Sequence, residues 1–138
     1  MNKMNPVVHF EMPVEDRERA KQFYAKSFGW EFNQLGAEMG NYTVVMTAES
    51  DNQGPLKRGI INGGFFQKTK DNQYPSVVIA VDDIRAAMKK VEDAGGKVIG
   101  ASKPGKQPDD IPGVGLYISI EDSEGNRVGM LQPSGEMK

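Results

Sequence analysis

The sequence predicts an α+β fold of two tandem βαβββ modules, and three observations in its 138 residues carry that reading. A shift of 67 positions lays residues 13–32, PVEDRERAKQFYAKSFGWEF, onto residues 80–99, AVDDIRAAMKKVEDAGGKVI, matching Val14 with Val81, Asp16 with Asp83, Ala20 with Ala87 and Gly29 with Gly96. Each copy places apolar residues at helical spacing directly after an acidic turn. Finally, GFFQ at 64–67 recurs as GMLQ at 129–132, so both copies close alike. The repeat covers 7–67 and 74–132 of a chain, 1–138, that has the size of one domain.

In the first strand, VVHFEMPV, alternation gives Val8, Phe10 and Met12 one face and Val7, His9 and Glu11 the other. The first set is uniformly apolar and is predicted to pack under a helix. That helix gathers Ala20, Phe23, Tyr24 and Phe28 on one side, as its counterpart gathers Ile84, Ala87, Met88, Val91 and Ala94. Acidic residues at both starts suit the positive end of the helix dipole, and Gly29 and Gly95–Gly96 suit the stops. Strand candidates follow in threes: WEFNQL, NYTVVMTA and GIINGGFFQ, then KVIGA, GLYISIE and RVGMLQ. Between the copies, KTKDNQYP at 68–75 is a polar linker too short to separate independent domains. Segments 49–59 and 102–115, rich in proline, glycine and charge, are expected at corresponding places in the two copies, as surface connections or as flaps of a pocket. DSEGN at 122–126 reads as the turn before the last strand.

Composition narrows the function classes. Apolar and charged fractions of 38% and 26% describe a soluble globular chain, and a net charge of -2 without a basic stripe argues against nucleic-acid binding. No stretch approaches the roughly 20 apolar residues of a membrane span, and the N-terminus has no secretion signal, so a cytoplasmic location is expected. With no cysteine, all chemistry must come from oxygen and nitrogen groups.

The duplicated unit has VEDRERAKQFYAKSFGW opening one copy, VDDIRAAMKKVEDAGGKV opening the other and EDSEGNRVGML before the last strand. In these features it resembles the vicinal oxygen chelate superfamily, which includes glyoxalase I, bleomycin-resistance proteins, extradiol dioxygenases and methylmalonyl-CoA epimerase. The resemblance runs from Val7 to Gln132. It implies curled mixed sheets with helices on their convex sides around a concave cleft, and it leaves a homodimer open to this chain. In metal-dependent members, one position on the first and one on the last strand of each copy supply the chelating set. Here those positions fall on His9, Ser76, Gly64 and Gly129. A serine hydroxyl is too weak to bind a divalent ion unaided and glycine offers no side chain, whereas catalytic sites use about three protein ligands. A register slip does not help, because neither GIINGGFFQ nor RVGMLQ contains Glu, Asp or His. No metal and no cofactor is therefore expected.

If Gly64 and Gly129 face the cleft, Asn62 and Arg127 do too, and the missing side chains enlarge the space. Phe66 and Leu131 would supply apolar wall. His9, the only histidine, then stands with Glu11 in a cleft that suits an organic ligand. Three roles are open to it: a neutral hydrogen-bonded strand residue, a ligand contact, or an acid–base group oriented by Glu11. Trp30, Phe32 and Tyr42 read as sheet core or cleft lining, and the direction of Tyr117 and Ser119 is left open.

The leading reading is a protein that binds a small organic molecule through His9, Glu11, Asn62, Gly64, Ser76, Arg127 and Gly129 without a metal. The first rival is a glyoxalase-like lyase or isomerase acting on a small carbonyl compound, with His9 and Glu11 as acid–base groups or residual metal ligands. The second is an interaction module without a small ligand.

Overall fold

The computed structural model describes residues 4–52 and 54–134. They fall into two compact units, one spanning His9–Ser76 and the other starting at Val77 and taking in the N-terminal residues through Val8.

The first unit contains β1 (Val7–Val14, its first two residues counted with the other unit), α1 (Arg17–Phe28), β2 (Glu31–Gln34), a 3-10 turn at Ala37–Met39 and β3 (Thr43–Met46). A small hairpin, β4 (Ser50–Asp51) with β5 (Gly54–Pro55), precedes β6 (Asn62–Gln67). The second unit follows with β7 (Ser76–Ala80, its first residue counted with the first unit), α2 (Ile84–Asp93), β8 (Lys97–Gly100), β9 (Asp109–Ile111), β10 (Gly115–Glu121) and β11 (Arg127–Pro133).

Strand order is β2-β3-β6-β1 in the first unit and β8-β10-β11-β7 in the second, the same order twice. In each, the module's first and last strands run parallel and the other pairings are antiparallel. The α+β class with mixed sheets is thus the fold of this chain.

Aspartates begin both helices for the same reason. The Asp16 carboxylate accepts the Arg19 N–H and the Asp83 carboxylate the Ala86 N–H, each at 3.1 Å, which satisfies donors that the first turn leaves open. Gly29 ends α1 at φ 74°, a left-handed conformation that glycine adopts without strain. The shared terminal glutamine also has a task in both copies. Gln132 Oε1 accepts the Ile84 N–H at 2.9 Å, and Gln67 Oε1 accepts from Arg17 Nη1 at 3.0 Å, so each last strand is tied to the start of its helix. Asp83→Ala is expected to cost about 1 kcal/mol, read as a lower urea midpoint with unchanged m-value.

Each unit has its own core. Val14, Val45 and Phe65 are buried in the first, with Phe10, Met12, Ala20, Tyr24, Trp30 and Phe32 packed on them. Val81, Ile84, Val98, Ile118, Ile120 and Met130 are buried in the second, where Ala87, Met88 and Val91 provide the contact face of α2.

Several expectations are corrected. Val8 is 36% exposed and outside the core, because pairing of β1 with β6 begins only at His9. Ala94 caps α2 from outside the helix and is exposed. On α1, Ala20 and Tyr24 reach the core, while Phe23 and Phe28 are 57% and 63% exposed and meet Tyr24 at the surface, Phe23 edge-on and Phe28 at a tilt. The apolar arc of this helix is wider than the strip the sheet covers. Finally, segments 49–59 and 102–115 do not correspond: one lies between β3 and β6, the other between β8 and β10, and each contains short strands.

Candidate functional site

Alternation along β1 sends Phe10, Met12 and Val14 into the core under α1, which leaves His9, Glu11 and Pro13 on the face away from the helix. Register then identifies their neighbours: Asn62 lies opposite His9, and Gly64 opposite Glu11. On β3, Val45 belongs to the core, so Val44 shares the helix-distal face and stands opposite Gly64.

The two adjacent glycines of β6 admit a ring on each side. A Cβ on Gly63 would overlap the Phe10 ring, and a Cβ on Gly64 would overlap the hydroxyl and ring of Tyr42. Neither glycine has a positive φ, so space and not backbone freedom selects it. In place of the enlarged space expected at residue 64, a tyrosine is seated there.

The second unit repeats the arrangement. Ser119 stands opposite Gly129, and a Cβ on Gly129 would lie 2.8 Å from the Tyr117 hydroxyl. Tyr42 and Tyr117 each precede by two positions the residue paired with the glycine, so they occupy equivalent places. This also settles the direction of Tyr117 and Ser119: Ile118 and Ile120 enter the core, and their neighbours take the other face.

The two tyrosines differ in what surrounds their hydroxyls. Tyr42 donates to Glu11 Oε2 at 3.1 Å and lies 3.4 Å from His9 Nε2. Tyr117 lies 3.3 Å from Ser119 Oγ, which also accepts from Arg127 Nη2 at 3.5 Å. One phenol thus sits between imidazole and carboxylate, and the other belongs to a hydroxyl group beside a guanidinium. Burial pushes the His9 pKa down from 6.5 to about 4, because the half-buried imidazolium would lose hydration. The ring is therefore neutral at pH 7.

Asn62 is committed to structure. Its Oδ1 accepts the Thr47 N–H and its Nδ2 donates to Ser50 Oγ, both at 2.9 Å, which pins the chain leaving β3. Thr47 and Ser50 line a cavity of about 450 Å³ with Glu31, Met46, Glu49 and Leu56. Ser76 is half-buried at the start of β7, ahead of the β7–β11 pairing that begins with Val78 opposite Gly129. Val78, in the place equivalent to Glu11, is only 2% exposed, so the second unit has an apolar residue where the first has a carboxylate.

The donor set does not fit a catalytic metal. Among the described residues no three His, Asp or Glu side chains converge, and His9 Nε2 has a phenol oxygen, that of Tyr42, within hydrogen-bond distance. The 122–126 segment is the turn anticipated between β10 and β11. Asn126 Nδ2 donates to the Asp122 carboxylate at 3.0 Å, the backbone N–H groups of Asn126 and Glu124 donate to it as well, and these bonds hold it below the usual carboxylate range. No helix among the described residues is long and apolar enough to cross a membrane.

Residues 7–48 match the family model described as bleomycin resistance protein-like N-terminal. The chain is 26% identical to a probable chloroplastic lactoylglutathione lyase of Arabidopsis thaliana over 83% of its own length, although it spans only 31% of that protein. It is 25% identical to a probable lactoylglutathione lyase of Vibrio cholerae, covering 91% of this chain and 89% of the relative. Among solved structures it is similar to a methylmalonyl-CoA epimerase, with a TM-score of 0.68 at 14% identity over 97% of this chain and 99% of the other. The Streptomyces coelicolor epimerase, in complex with 2-nitronate-propionyl-CoA, gives a TM-score of 0.67 at 12% identity, covering 96% and 97%. The twice-used strand order and the likeness to the epimerase structures are those of the glyoxalase/bleomycin-resistance fold, and the family-model match over residues 7–48 and the two lyase relatives indicate the same vicinal oxygen chelate superfamily.

Proposed function

We propose that this protein binds a small organic ligand on the helix-distal sheet faces and does so without a catalytic metal. The supporting observation is that a tyrosine covers each glycine at the two last-strand chelating positions, leaving His9 as the only strong ligating side chain of the four. Each unit presents its own set of polar groups suited to orienting an organic molecule: His9, Glu11 and Tyr42 in the first, and, independently, Tyr117, Ser119 and Arg127 in the second. Ser76 adds a hydroxyl and Gly64 and Gly129 seat the phenols. Asn62 contributes by holding Thr47 and Ser50.

The test is a thermal-shift series on untagged protein. Zinc, nickel, manganese and iron should leave Tm unchanged, while a library of uncharged and charged small organic compounds should yield stabilisers whose effect is lost in Glu11→Ala or Arg127→Ala. Stoichiometric metal, measured by mass spectrometry and lost in His9→Ala, would overturn the proposal.

A second reading is kept because the curated relatives are described as probable lactoylglutathione lyases and because His9, Tyr42 and Glu11 form a proton-carrying chain. In it the protein is a glyoxalase-like lyase or isomerase with His9 and Glu11 as acid–base groups. Formation of lactoylglutathione that disappears in His9→Ala would support it, and equal turnover in that variant would remove it.

A further inference from the structure

We propose that Tyr42 is the positioning residue of His9, holding the imidazole in its Nε2–H tautomer and making Nδ1 the proton-accepting nitrogen. The inference follows from counting protons. A tyrosine hydroxyl has one, and Tyr42 spends it on Glu11 Oε2 at 3.1 Å. An ionised carboxylate only accepts, and an O–H donated to it is the stronger kind of hydrogen bond. What the Tyr42 oxygen can still offer His9 Nε2, at 3.4 Å, is a lone pair. Nε2 must then carry the hydrogen, because the other tautomer would set two lone pairs against each other. The order of donation is His9 Nε2–H to Tyr42, and Tyr42 O–H to Glu11.

Tyr42 is fixed in this place by Gly64, where any Cβ would overlap its hydroxyl and ring. The same seat holds Tyr117 over Gly129, but there the hydroxyl meets Ser119, and the residue equivalent to Glu11 is Val78. The seat is therefore a repeated feature of the fold, and the imidazole–phenol–carboxylate order is what the first unit adds to it.

A consequence for the ligand rests on the reading of His9 as a ligand contact. A neutral imidazole with its lone pair at Nδ1 accepts from a hydroxyl, amide N–H or ammonium and repels a carboxylate or phosphate oxygen. The proposal thus favours hydrogen-bond-donating groups at His9.

The tautomer can be read without knowing the ligand. His9 is the only histidine, so long-range ¹H–¹⁵N spectra of untagged ¹⁵N-labelled protein at pH 7 report a single imidazole. The expected result is a protonated-type shift at Nε2 and an unprotonated-type shift at Nδ1. Tyr42→Phe keeps the ring over Gly64 and removes the hydroxyl, and both nitrogen resonances should move toward the average of exchanging tautomers. Gly64→Ala displaces the ring and should produce the same change from the other side. Backbone amide spectra establish that each variant is folded. An Nδ1–H tautomer in the unsubstituted protein overturns the inference, and this result decides the matter even if a variant fails to fold. Identical imidazole shifts in both folded variants overturn it as well. A compound screen that finds no ligand removes the functional reading and leaves the tautomer assignment standing.

Discussion

Phe65→Ala is expected to lower the unfolding free energy by about 3–5 kcal/mol, the cost of deleting a large buried aromatic and leaving a partly collapsed cavity. Phe65 is completely buried, and its ring lies 5.6 Å from that of Phe32 and 5.8 Å from that of Tyr24. Val14 and Val45 are the buried neighbours it shares this core with, and both are much smaller, so the half-buried side chains packed around them would have to shift to fill the space. A loss of that size approaches the whole stability of many small domains, about 5–15 kcal/mol. The damage should also reach the site. Phe65 follows Gly64 on β6 and stands opposite Thr43, the residue after Tyr42, so loosening it unseats the strands that hold the phenol in place. Phe23→Ala is the control: with its side chain 57% exposed, it should cost below about 1 kcal/mol. Urea unfolding of both variants provides the check, and equal losses would refute the assignment of Phe65 rather than Phe23 to the core.

The parts of this fold that were legible in the sequence are those governed by local chemistry. Aspartate at the helix start, glycine at its end and alternation along β1 each depend on a few neighbouring residues, and Asp16, Asp83, Gly29, Phe10 and Met12 behave as their surroundings dictate. The placement of His9 and Glu11 on one face follows from the same alternation, and Tyr42 joins them directly. Tyr42 was legible only as sheet core or cleft lining, and the role of its hydroxyl between His9 and Glu11 was not. The helices repeat at a shift of 67 and the glycines at 65, but Tyr42 and Tyr117 are 75 apart, because the second copy is longer before this strand and the first copy after it. A comparison at fixed shift therefore cannot pair them.

The glycines misled for a related reason. A missing side chain marks either empty space or a close neighbour, and only the pairing of β3 with β6, and of β10 with β11, tells which. The usable signal was the pair of glycines in NGGFF, since two successive strand glycines suggest rings packed on both sides. Period on α1 likewise gave the direction of its apolar arc but not the width of the strip that the sheet covers, and Phe23 and Phe28 fell outside it.

Acid should destabilise this protein through His9 before most carboxylates contribute. The imidazole titrates near 6.5 when unfolded and at about 4 when folded, with burial as the cause, so between these values the unfolded chain holds a proton that the folded chain lacks. Stability is then complete above pH 6.5, falls as pH drops through the window, and has lost the whole His9 contribution below about 4. The loss amounts to about 3 kcal/mol at 1.36 kcal/mol per pH unit. Groups such as Asp122, held below the usual carboxylate range by Asn126 and Glu124, release their contribution only at more acidic pH. Because the chain has one histidine, the difference between the parent and His9→Gln isolates this term. Urea titrations of both proteins from pH 7.5 to 3.5 should give curves that converge as pH falls from 6.5 to 4 and run parallel outside that window. Curves parallel throughout would mean that His9 is solvated in the folded state, and a solvated imidazole would not need Tyr42 to choose its tautomer.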